Sequence, residues 1–296
     1  MGGFGNFGRL SSDKTFLNNI QYPRKKIRRQ KVKFATVKLG IVCVSLIFGL
    51  ILTGVSNAQI DPNNCVGLWL FDEGSGTVAK DSSKNGNDGT LQKDPKWVPG
   101  KFGKALEFDG VGTNVLVPKS ASLNLDEKDF TITVWAKSSK ANVWKPFVNK
   151  YQVGGTDTMI LAAIRDTNTI TLAFYNDDLN PAYTPTLDAW EHYAFTFNAA
   201  TKQREIFVNG SSVGNNIATA APSGSNDQDI EIGSMAYASL FYSGIIDDVG
   251  IFNVVLTQDA IKNIMANGLS GETGVSPVSP KGLLTTVWGE IRGNAE

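Results

Sequence analysis

The sequence predicts an all-β protein, a sandwich of two antiparallel sheets, on three observations. Apolar and polar residues alternate at period two in many short runs, clusters of Gly, Asn, Asp and Ser separate those runs, and helical periodicity is confined to one short stretch. A chain of 296 residues, 42% of them hydrophobic, is long enough for one large sandwich with extensions at its ends.

The extension at the start is not a strand. Residues 1–38 form a basic region with ten Lys or Arg and a single acid, Asp13. Residues 39–55 (LGIVCVSLIFGLILTGV) are uncharged and almost wholly apolar, and Ser56 and Ala58 are the small residues a signal peptidase selects. Residues 39–58 therefore read as a signal peptide cut after Ala58. The alternative is an uncleaved anchor helix, because the run falls just short of the ~18–20 residues that span a bilayer. Both readings export the chain beyond residue 58, so the structured part is expected to be secreted, or extracytoplasmic and held to the membrane by residues 39–55.

Strands are expected at Val66, Leu68 and Leu70; at Leu106 and Phe108; at Val115 and Val117; at Phe130, Ile132 and Val134; at Ile170, Leu172 and Phe174; at Tyr193, Phe195 and Phe197; at Ile206 and Val208; and at Ile230 and Ile232. Between them, residues 84–89, Asp109-Gly110, Asn209-Gly210 and residues 223–227 supply the positive φ angles that tight turns need. One brief helix is expected over 257–267, capped by Thr257, with Ile261, Ile264 and Met265 on its apolar face and Gly268 as its stop. Residues 65–268 thus form the domain and 269–296 a linker and C-terminal tail, in which the apolar segment 281–291 suits either an edge strand or a partner contact.

Beyond residue 58 the chain carries 18 bases against 27 acids, a formal net charge of −9. Such a surface repels phosphate backbones and attracts cations, which argues against nucleic acid as a partner and leaves a hard divalent cation open. Cys43 lies in the apolar run and Cys65 stands alone after it, so the exported part has no disulfide and Cys65 reads as a small buried hydrophobe.

Seven blocks carry a family resemblance. Residues 68–76 (LWLFDEGSG) with 81–89 (DSSKNGNDG), then 103–110 (GKALEFDG), 130–135 (FTITVW), 190–194 (WEHYA), 207–210 (FVNG) and 244–252 (GIIDDVGIF) resemble, in this order, bacterial laminin-G-like domains of the concanavalin A-like lectin and glucanase jelly rolls. The resemblance implies a jelly roll with its first and last strands side by side, and a module that more often binds than catalyses. It also implies a structural calcium where the N-terminal region meets the final strand. Of the carboxylates Asp72, Asp81, Asp109, Asp247 and Asp248, it places Asp81, Asp109 and Asp247 as ligands by position. Each also has a local reading, Asp109 as a turn cap and Asp247, on the parity of Val249 and Ile251, as a buried carboxylate held by backbone donors.

Catalytic patterns are missing. The one histidine, His192, excludes a multi-histidine zinc site, and no Gly-x-Ser-x-Gly elbow accompanies it. The laminarinase-type pattern Glu-x-Asp-x-x-Glu finds only Glu127 and Asp129, with Ile132 where the third carboxylate belongs. For a ligand surface the suggestive residues are Trp144, Tyr151, Tyr175, Asp177, Tyr183 and Tyr242, with Trp97, Tyr237, Phe241, Asn176 and Asp178 as further candidates. The expected function is an extracytoplasmic module binding a polysaccharide or other glycan, or serving adhesion. The alternative is a structural surface protein that docks to other proteins. A polysaccharide-active enzyme is the third reading, and it lacks its paired carboxylates.

Overall fold

The computed structural model describes residues 60–151, 155–225 and 227–274. The basic region, the signal or anchor run and the segment 281–291 lie outside them. No helix among the described residues is long and apolar enough to cross a membrane.

The strands are β1 (Cys65–Trp69), β2 (Val78–Ala79), β3 (Gly89–Gln92), β4 (Lys96–Pro99), β5 (Lys104–Asp109), β6 (Asn114–Val117), β7 (Phe130–Ser138), β8 (Lys145–Tyr151) and β9 (Met159–Ile164). They continue as β10 (Ile170–Ala173), β11 (Asp178–Leu179), β12 (Trp190–Asn198), β13 (Gln203–Val208), β14 (Ser211–Ile217), β15 (Ile230–Ile232), β16 (Ser234–Met235), β17 (Leu240–Phe241) and β18 (Ser243–Phe252), and the helix α1 is Gln258–Thr273. Sheet I runs β14-β13-β12-β7-β18-β5-β4, and sheet II runs β11-β10-β9-β8-β15-β6-β3-β2. The pairs are antiparallel, and β1 lies along β18 with Trp69 opposite Val249, so first and last strands are neighbours as the resemblance implied.

The expected alternation points one side chain of each pair into a single core between the sheets: Phe130, Ile132 and Val134 from β7, Phe195 and Phe197 from β12, Ile170 and Leu172 from β10. The other face of sheet I is also buried, which period-two patterning does not show. Leu68, Leu70, Ala194, Phe207 and Phe252 form a second cluster with Leu256, Ile261, Ile264 and Leu269, because α1 packs there. Cys65 belongs to that cluster, and burial pushes its thiol pKa up to about 12, so it packs rather than reacts.

Two expectations need correction. Thr257 caps α1 as foreseen, its hydroxyl accepting from the Ala260 N–H at 3.2 Å, but Gly268 does not end the helix. At φ 74° Gly268 breaks the helical path, and helical turns resume to Thr273. The parity of Asp247 with Val249 and Ile251 also fails. Asp247 pairs with Trp135 and Gly250 with Thr133, so β18 holds one extra residue, and Asp248 absorbs the bulge at φ 45°. Val249 and Ile251 enter the core between the sheets while Asp247 faces the opposite side.

Candidate binding face

The predicted metal ligands are each held by their own surroundings. Asp81 Oδ1 accepts from the N–H groups of Leu68 (2.9 Å) and Ser83 (2.8 Å), and its Oδ2 from Ser83 Oγ and the Asn87 N–H, both at 2.7 Å. Asp109 caps its turn: Oδ1 accepts from the N–H groups of Val111, Gly112 and Thr113 and from Thr113 Oγ1. Partial desolvation raises its pKa, yet these donors together hold it well below the usual carboxylate range. Asp247 is fully buried; Oδ2 accepts from the N–H groups of Lys101 (2.7 Å) and Phe102 (2.9 Å), and Oδ1 from that of Asp248 (2.8 Å). Among the described residues no three His, Cys, Asp or Glu side chains group around a point fit for a metal ion. Asp81, Asp109 and Asp247 thus each answer to separate protein donors.

Asp247 instead latches the β4–β5 turn onto sheet I. A Cβ on Gly100 would stand 2.6 Å from Asp247 Oδ2, which is why the turn passes this point with glycine. Next in the chain, Asp248 Oδ2 accepts from the Leu269 N–H at 2.9 Å, where α1 resumes after Gly268. Burial, then repulsion from Asp248, pushes the Asp247 pKa well above the carboxylate range, and burial does the same to Asp248. On this side of sheet I His192 is 1% exposed, packs on Trp135 at 5.3 Å and has no partner for either ring nitrogen among the described residues. Burial pushes its pKa down to about 3, so it is neutral.

Three of the six predicted ligand residues are engaged within the fold. Tyr242 is wholly buried, hydrogen-bonded to Ser138 Oγ at 3.0 Å and packed on Phe108 and Phe147 in the core. Tyr183 is half-buried and donates its hydroxyl to Glu191 Oε1 at 2.7 Å. Asp177 pairs with Arg204, whose side chain is 0% exposed, at 2.7 Å, and its other oxygen accepts from the Thr219 N–H.

The other three share one surface, the outer face of sheet II. Met159, Leu161, Ala163 and Ala173 point away from the main core and form a third cluster with Met235, against which Trp144, Tyr151 and Leu240 pack half-buried. Tyr175, 38% exposed, meets Tyr151 at 6.2 Å between ring centroids and 45° between planes. Tyr237, 67% exposed on the 3-10 turn Ala236–Ala238 between β16 and β17, also meets Tyr151, at 5.5 Å and 39°. The result is a half-buried tyrosine in contact with two exposed ones. Tyr237 was only one of several further aromatics in the sequence, because the contact depends on the short ribbon β16–β17 folding over β8. At the end of this face beside Ile164, the Arg165 guanidinium lies 4.9 Å over the Trp144 ring and pairs with Asp178 at 3.2 Å.

A cleft of about 710 Å³ at the β4–β5 end of sheet I is bordered by Lys93, Lys96, Glu107, Asp109, Lys137 and Lys140. Its aromatic component is Phe108, which is buried in the core, so it offers no exposed ring to a ligand.

Comparison with known proteins agrees with this architecture. A laminin-G profile described as the concanavalin A-like lectin/glucanases superfamily matches residues 109–262, just over half of the chain, and the chain belongs to that superfamily. Curated proteins give no match. Among solved structures, domain 4 of AbnA, an extracellular GH43 arabinanase from Geobacillus stearothermophilus in complex with arabinotriose, is similar at TM-score 0.55 and 14% identity, over 68% of this chain and 98% of that one. The binding domain of Paraclostridial Mosquitocidal Protein 1 gives 0.54 and 16% over 69% of this chain and 52% of that one. Trypanosoma rangeli sialidase in complex with sialic acid gives 0.53 and 16% over 69% and 33%. This chain thus spans about half of the toxin domain and about a third of the sialidase, and at these identities the likeness is one of fold.

Proposed function

We propose that this chain is an extracytoplasmic, non-catalytic carbohydrate-binding module whose ligand surface is the outer face of sheet II around Tyr151, Tyr175 and Tyr237. The observation that carries the reading is the tyrosine trio itself. Tyrosine supplies rigid, amphipathic contact area at low entropic cost, and two exposed rings in contact with a half-buried one present stacking surface to a sugar ring. The apolar part of the opposite outer face is covered by α1, and the Asp247-latched turn lies on the same side. Export is supported by the basic region and apolar run ahead of Ala58. Binding rather than catalysis is supported by the employment of the acids: Asp129 Oδ1 accepts from the Ala199 N–H at 2.7 Å, Asp109 caps a turn, and Asp247 is sealed beneath one.

The test is a glycan array probed with the purified chain and with Tyr237→Ala and Tyr175→Ala. Saturable binding that each substitution weakens roughly tenfold, about the worth of one buried aromatic contact, is expected. A folded chain that binds no glycan would shift the function to docking on other proteins.

A further inference from the structure

We infer that the site, resting on the glycan reading above, selects neutral, hydroxyl-rich glycans and rejects anionic ones. Strand register sets out the reason. Asn149 on β8 lies opposite Leu161 on β9, Leu161 opposite Ala173 on β10, and Ala173 opposite Asp178 on β11. These four make one row across four strands, about 14 Å long at the usual strand spacing. Thr171 faces Ala163 one pleat away. Leu161, Ala163 and Ala173 belong to the outer cluster with Met159, whereas their chain neighbours Ile160, Ala162 and Leu172 are in the main core, so the whole row faces outward beneath the tyrosines.

Three polar atoms in and beside this row lack a partner among the described residues: Asn149 Oδ1, Thr171 Oγ1 and Asp178 Oδ1. Asn149 is 3% exposed and Thr171 0%, so water outside the fold does not reach them freely. An amide oxygen and a carboxylate oxygen only accept, and a threonine hydroxyl does either. What the row needs is donors. Arg165, the cation paired with Asp178, is already committed to Asp178 Oδ2 and Asn180 Oδ1, each at 3.2 Å. A sugar hydroxyl donates to these acceptors, while a sulfate or uronate presents more negative oxygens to them and to an exported part of formal charge −9. Half-buried Trp144 and Leu240 pack over the row beside Tyr151, and a rotamer-scale adjustment of those two, common at binding surfaces, opens it to the glycan.

The experiment compares the full chain on neutral arabinan, mannan and laminarin with its binding to polygalacturonate, alginate and heparin, at low and high salt. Asn149→Leu and Thr171→Val, which keep volume and remove the acceptor, run alongside. Binding of one or more neutral glycans that is insensitive to salt, and weakened about tenfold by Asn149→Leu while Tm holds or rises, is the expected result. A merely structural Asn149 would leave affinity unchanged. Preference for the acidic polymers with affinity falling as salt rises, or full affinity in both variants, overturns the neutral-glycan inference and leaves the carbohydrate reading standing. A folded chain that binds none of the six overturns both.

Discussion

Asp177 was a candidate ligand residue by sequence, close to Tyr175 and Asn176, and the fold gives it a different task. The Arg204 side chain is 0% exposed and Asp177's 11%, and their closest N–O distance is 2.7 Å. The guanidinium also donates to the Asp177 carbonyl oxygen and to Asn216 Oδ1, and lies 4.8 Å over the Phe174 ring. Asp177→Ala strands a buried guanidinium without its countercharge. Removing one partner of a buried pair costs about 3–5 kcal/mol. For a domain of this size that lowers Tm by about 6–20 °C. The assay is urea unfolding followed by circular dichroism, read at constant slope, with Tm measured in parallel. Asp177→Leu combined with Arg204→Met, which removes both charges, should recover most of the loss. If Asp177→Ala unfolds within about 0.5 kcal/mol of the parent and instead weakens glycan binding, the structural assignment is wrong and Asp177 touches ligand.

Two further predictions concern charge. The Asp247 and Asp248 pKa values are raised by burial, so the native state holds protons that the unfolded chain releases above about pH 4; that stability is fully present below pH 4 and lost as pH rises through neutrality. Asp247→Asn should therefore gain on the parent between pH 5 and pH 8 by more than about 1.4 kcal/mol, one pK unit, and parallel stability curves would remove the claim. His192 acts the other way: its pKa, pushed down to about 3, means the unfolded chain binds a proton the native state does not, so stability drops as pH falls below about 6.5, and His192→Gln should flatten that acid limb. Excess chelator should leave Tm unchanged, because Asp81, Asp109 and Asp247 are already served by protein donors; a fall of several degrees would reveal a bound ion.

How far the fold was legible in the sequence depends on which faces are half-buried. Phe130, Ile132 and Val134, or Tyr193, Phe195 and Phe197, alternate legibly because intervening residues such as Thr131, Thr133 and Thr196 stayed polar even though the fold buries them. Residues 159–164 (MILAAI) form a strand whose six residues are all buried, so β9 had no period-two signal and the floor of the proposed binding face went unseen. The bulge at Asp248 had no legible mark either, and one extra residue was enough to move Asp247 to the other side of the sheet. Aromatics near 144–183 and 237–242 were visible as a group; only tertiary packing separates Tyr242, sealed in the core, from Tyr237, standing in solvent.

That separation supports the proposed placement of the ligand surface on sheet II. A sandwich has two outer faces, and apolar residues on either must be covered. On sheet I the cover is covalently continuous and specific: α1 seats Ile261, Ile264 and Leu269 on Leu68, Leu70 and Phe252, and two aspartates fasten the turn and the helix to β18. On sheet II the cover over Leu161, Ala163 and Ala173 consists of the half-buried side chains Trp144, Tyr151 and Leu240 and of a ribbon whose two strands have two residues each. Side chains turn on far shorter timescales than a helix undocks, so the cover on sheet II yields without the local unfolding that lifting α1 requires. Substitutions on the outer face of sheet I should therefore register in stability, and those around the tyrosine trio in affinity.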